Sequence, residues 1–161
     1  MHHFRHYLVI TLSLVLFLPL LSQAEPGPVE RLSPELRSLL SKEMLAIQEG
    51  MMAIVPAYSS GNNDEIETIA RQIKNSFIIK RSLTAAQKQE LLQLPPAFLT
   101  LDRQFHYNAG MLEDAASKNK PELIGFYITQ LSEACAGCHS QFARHKFPRF
   151  NENDAAQTHS H

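Results

Sequence analysis

Apolar residues recur every three or four positions over four long stretches of the chain, the spacing of one face of an α-helix. The first stretch carries Leu36, Leu40, Met44, Ile47, Met51 and Val55. Ser33-Pro34-Glu35 opens it: serine caps, proline suits the first helical position, and glutamate favours the positive end of the dipole. Pro56 and then Ser59-Ser60-Gly61 close it. The second stretch carries Ile66, Ile69, Ala70, Ile73 and Phe77, with Asn63 or Asp64 as its expected cap. The third starts at Pro95-Pro96 and carries Phe98, Leu101, Phe105, Ala109, Leu112 and Ala116. After a turn at Asn119-Lys120, Pro121-Glu122 opens the fourth, with Ile124, Tyr127, Leu131, Cys135, Cys138 and Phe142. Between the second and third, the pattern pauses at Arg81-Ser82-Leu83. Thr84-Ala85-Ala86-Gln87 then resembles a capping box and predicts a short helix to about Leu94. The expected fold is all-α: a four-helix bundle with a short extra helix between helices 2 and 3.

The flanks differ from this body. Met1 to Ala24 begins with Arg5 among three histidines and runs through an apolar stretch from Tyr7 to Leu21. It ends in Ser22-Gln23-Ala24, the small-residue pattern of a cleavage site. That is the form of a secretory signal peptide, cut after Ala24. A retained membrane anchor is the rival reading, but about 15 apolar residues fall short of the ~20 that span a bilayer. Residues 25–33 form a linker rich in Pro26, Gly27 and Pro28; residues 34–147 form the bundle; residues 148–161 form a polar tail. One domain is expected of the remaining chain. Removing the leader takes Lys+Arg from 15 to 14 against 16 Asp+Glu, a formal charge of −2. No basic patch points to nucleic acid.

The candidate chemistry lies at the end of the fourth stretch. Cys135-Ala136-Gly137-Cys138-His139 holds both cysteines of the 161-residue chain. C-x-x-C-H is the pattern of covalent c-type haem attachment: two thiols add to two vinyl groups, and the adjacent imidazole takes an axial position on the iron. Three rivals are weaker. A thioredoxin-like pair needs a strand-then-helix context. A zinc site needs four ligands, and no second Cys/His cluster stands out in the body. A disulfide across so short a loop removes little chain entropy.

An exported four-helix chain with one C-x-x-C-H near its C-terminus resembles the class II c-type cytochromes, the cytochrome c-prime family. The resemblance runs over Pro34 to Phe147 in plan and is strongest from Phe105 to Phe142, through Leu112, Ala115-Ala116, Leu123, the motif itself and Phe142. It implies one covalent haem c on Cys135 and Cys138, with His139 as proximal iron ligand. It also implies a periplasmic location, redox partners in the periplasm or membrane, and in many members a homodimer formed through the first two helices. The family's arginine would stand at Ala143, whereas this chain has Arg144, turned about 100° around the helix. That role is therefore not carried over; Arg144 is read as a solvated helix-end cation or a propionate partner.

Two subtypes of the family differ on the far side of the iron. A methionine of the first helix makes a low-spin electron carrier. An apolar blocking residue leaves five-coordinate iron that binds nitric oxide or carbon monoxide. Met44 is the candidate distal ligand, although a methionine on an apolar stripe is ordinarily core filler. Sliding the helix by one residue brings Glu43 to that place. His106 is the second candidate, more readily a hydrogen-bonded boundary histidine. The expected function is single-electron transport by a periplasmic monohaem cytochrome, with gas binding as the alternative. The chain is not read as an enzyme, and a peroxidase-like side activity would need Glu43 or His106 as acid–base. His145 reads as a solvated residue, and His159 and His161 form H-x-H in the tail. Tyr58, Tyr107 and Tyr127 read as packing residues with a polar tip.

Overall fold

The computed structural model describes residues 27–76 and 79–150, and among them every regular element is helical. In chain order these are α1 (Pro34–Ser60), α2 (Asn63–Lys74), α3 (Ile79–Ser82), α4 (Ala85–Leu91), α5 (Pro96–Ser117) and α6 (Pro121–Phe142). The expected signal peptide, Phe77, and His159 and His161 of the tail lie outside the described residues. The expected short helix after Thr84 is α4, which stops at Leu91 rather than Leu94; α3 is an additional turn just before it, overlapping the expected pause at Arg81-Ser82-Leu83.

Local chemistry sets most helix ends. Ser33 Oγ accepts from the Leu36 N–H at 3.4 Å and donates to Glu90 Oε2 at 2.9 Å, so the cap of α1 is also its tie to α4. Gly61, at φ 72°, closes α1 in the left-handed region that glycine enters without cost. The cap of α2 is Asn62, one residue before the expected pair, with its Oδ1 accepting from the Glu65 N–H at 3.3 Å. Thr84 and Gln87 form the reciprocal capping box at 3.3 and 3.0 Å.

Two side-chain bonds show which ends meet. Asn63 Nδ2 donates to Asn119 Oδ1 at 2.8 Å, and Tyr58 Oη donates to the Pro121 carbonyl at 3.2 Å. The α1–α2 and α5–α6 connections therefore share one end, and α1 and α5 run opposite to α2 and α6. Helix α5 packs extensively on both α2 and α6, and α1 packs on α2; α1 and α6 touch in only a few places. Gly125 lets Tyr58 lie against α6: a Cβ there would stand 2.8 Å from the Tyr58 hydroxyl.

The apolar interior is divided. Near the shared end, Ile54, Ala57, Ile66, Ile69, Ala70, Ile73, Ala109, Leu112, Ala115, Ala116, Ile124 and Leu131 form one cluster. At the opposite end, Leu32, Leu36 and Leu94 form a smaller one, with Leu40, Phe98 and Leu99 against it. Glu43 and Ile47 of α1 are buried in the interval and belong to neither.

The stripes of α2, α5 and α6 run as expected, but that of α1 needs correction. Its buried residues are Leu36, Glu43, Ile47, Ile54 and Ala57, while Met44 is 41% and Val55 59% exposed. The interior phase steps by three from Leu40 to Glu43, where the apolar pattern suggested a step of four to Met44. At Glu43 the change goes with a long-range bond: the Ile79 N–H, at the start of α3, donates to Glu43 Oε2 at 3.1 Å. A carboxylate can be buried when it is hydrogen-bonded in this way. Glu43→Ala strands that N–H and leaves a hole, so it lowers stability by about 1–3 kcal/mol. Glu43→Gln keeps an acceptor oxygen and costs less; urea unfolding of both variants measures the difference.

Candidate functional site

The motif occupies the last turns of α6, where the helix has run past the larger apolar cluster. Cys135 and Cys138 are three residues apart and therefore near neighbours on the helix surface; His139 lies one turn beyond Cys135. Both cysteines are free and half-buried. Burial pushes the Cys135 thiol up. Cys138 is pushed up to about 11 by burial first, then by the carboxylate of Asp102 on α5 and by Cys135. Both sulfurs are protonated thiols at neutral pH. Burial holds the His139 imidazole below the usual histidine range, so it is neutral there, with a lone pair to offer.

The thiolate, not the thiol, is the form that alkylates. Against an ordinary value of 9.0, a pKa of about 11 leaves roughly a hundredfold less thiolate at pH 8. In haem-free folded protein, iodoacetamide should therefore label Cys138 about a hundredfold more slowly than in the urea-unfolded chain. Peptide mapping after timed quenching measures this, and equal rates would contradict the burial of the sulfur.

Aromatic rings surround the motif. The Phe142 ring meets Phe98 of α5 edge-on at 5.3 Å. The His139 ring stacks on Phe147, with centroids 4.3 Å apart and planes 11° from parallel. Asp102 Oδ1 lies 3.6 Å from His106 Nε2, one turn along α5. His106 Nδ1 lies 2.8 Å from the Ile73 carbonyl of α2, an acceptor, so Nδ1 carries the proton. His106 is thus the hydrogen-bonded boundary histidine expected of it.

Met44 is not in the core, yet its row on α1 is informative. At 100° per residue it lies within about 40° of Tyr58, which touches the first turn of α6. On its other side is Ser41, whose Oγ accepts from Lys146 Nζ, beyond the end of α6, at 3.4 Å. Met44 therefore lies on the row of α1 between Ser41 and Tyr58, the side turned toward α6, and is 41% exposed. Glu43 is turned away, toward α3.

Of the predicted site residues, Cys135, Cys138 and His139 share one helical end beside the interval between the two apolar clusters, and Met44 stands on the helix opposite. Three neighbours were not marked as site residues: Phe147, Phe98, and Asp102 in its relation to Cys138. Phe98 and Asp102 lie on the same half of α5, a proximity that the α5 stripe alone signals. No family model, curated protein or solved structure matches this chain.

Proposed function

We propose that this chain is an exported monohaem cytochrome that carries single electrons, its four long helices forming a bundle around one covalently held haem c. The observation that carries the reading is the placement of C-x-x-C-H: two free thiols and a neutral imidazole at the end of α6, beside an interval between two apolar clusters where α1 and α6 barely touch. A planar apolar group flanked by helices suits such an interval, and the donor set fits haem. Cys135 and Cys138 would each add S–H across one vinyl group, sulfur to one carbon and hydrogen to the other, with no net oxidation. His139 would supply the proximal nitrogen and Met44 the distal sulfur. When bound, the haem iron supplies a ferrous–ferric couple that takes up or releases one electron.

The chain's own residues would govern that couple. Phe98 and Phe142 pack edge to face beside the motif, and Phe147 covers one face of the His139 ring. Asp102 and His106 stay on the α5 side, with His106 held by the Ile73 carbonyl. Glu43 is bonded to the Ile79 amide. With both candidate acid–base residues so engaged, the site favours electron transfer over a peroxidase-like activity. Periplasmic or membrane redox proteins are the partners this role requires, and residues 1–24 are the export signal.

The test is a mass spectrum and a visible spectrum of protein matured in an export-competent host. One covalently added haem and a low-spin spectrum insensitive to carbon monoxide are expected, turning high-spin in Met44→Ala. A high-spin spectrum that shifts with carbon monoxide would replace the carrier by the gas binder. Protein without covalent haem would overturn both.

A further inference from the structure

We propose that Phe147 is a positioning residue for His139, fixing the plane of its imidazole and keeping water from it; the proposal rests on the haem reading above. Past α6 the chain doubles back. The Lys146 and Phe147 amides donate to the Ala143 carbonyl at 2.9 and 3.2 Å, and the Phe147 amide also to that of Arg144 at 3.1 Å. The turn is then fastened at two distant places. His145 Nδ1 lies 3.4 Å from Glu30 Oε1 of the linker, and Lys146 Nζ donates to Ser41 of α1. The strap so formed lays the Phe147 ring flat on His139.

Two observations set this contact apart from ordinary packing. Phe147 is 39% exposed and belongs to neither apolar cluster, so the fold gains little from it. A metal-bound histidine almost always donates its second ring N–H to a carbonyl or carboxylate, which sets the ring plane. Among the described residues no such acceptor is bonded to His139. The parallel stack at 4.3 Å is what restrains rotation of the ring about its Cβ–Cγ bond. In the haem-loaded protein the plane of an axial imidazole sets its overlap with the iron orbitals. Water near it favours the more highly charged ferric state.

The experiment compares the full chain with Phe147→Ala, Phe147→Leu and Phe147→Tyr. In haem-free protein, the ring-current effect of Phe147 should shift the His139 ring protons upfield, and Phe147→Ala should abolish that shift while Phe147→Tyr keeps it. In haem-loaded protein, Phe147→Ala should lower the midpoint potential and shift the low-spin electron paramagnetic resonance. Phe147→Leu, still apolar but not planar, should change the resonance with a smaller change in potential, and Phe147→Tyr should preserve both. Loaded variants indistinguishable from the wild type, or absence of the upfield shift, overturn the proposal alone. Wild-type protein without covalent haem overturns the haem reading and the proposal with it.

Discussion

On the haem reading, joint replacement of Cys135 and Cys138 by serine should leave a chain that keeps no haem through denaturation. A serine hydroxyl is a far poorer nucleophile than a thiol toward a vinyl group, so neither thioether should form. Each single variant should keep one attachment point and retain covalent haem at reduced yield. His139→Ala should keep both thioethers but lose the proposed proximal nitrogen, altering the visible spectrum without releasing the haem. The variants should remain helical, because the larger apolar cluster draws nothing from the motif. Haem staining on a denaturing gel, with intact mass, reads all four proteins. Covalent haem surviving in the double variant would remove the two sulfurs from the mechanism.

The largest effect on stability is expected at Leu112. Its side chain is fully buried where α5 packs between α2 and α6, among Ile69, Ile73, Ile124 and Leu131 of the same cluster. Leu112→Ala removes apolar contact on both sides and leaves a cavity that three rigid helices cannot close, a cost of about 3 kcal/mol. For a domain of this size that lowers the melting temperature by roughly 10 °C. Tyr107→Ala, on the 60% exposed side of the same helix, is the control and should change little. Urea titration followed by circular dichroism compares them. A loss under about 1 kcal/mol at Leu112 would mean that α5 does not join its neighbours as described.

Sequence spacing located α2, α5 and α6 because their apolar faces are continuous and each turn agrees with the next. It misphased α1 at Met44 and at Val55, the first for a definable reason. Met44 is apolar and Glu43 is not, so periodicity prefers the methionine, whereas the deciding partner is a backbone amide at Ile79, 36 residues away. The clustering of Cys135, Cys138 and His139 was legible because the three lie within two turns of one helix. The stack of Phe147 on His139 was not, because it depends on a turn after the helix and on anchors at Glu30 and Ser41. No local pattern connects those residues. Ser33 as the start of α1 and Thr84-Gln87 as a capping box were readable because both partners lie within one turn.

The seating of Tyr58 on Gly125 has a mechanical consequence. It joins α1 to α6 at one end, and over their length the two helices otherwise touch little. From Tyr58 back to Glu43, α1 extends roughly 22 Å at 1.5 Å per residue, and α6 extends nearly as far from Gly125 to His139. The pair is thus held at both ends, by Tyr58 against α6 at one and by Lys146 on Ser41 at the other, with little contact between. A larger residue at position 125 would meet the Tyr58 hydroxyl and push that side chain off α6, removing the first of the two ties.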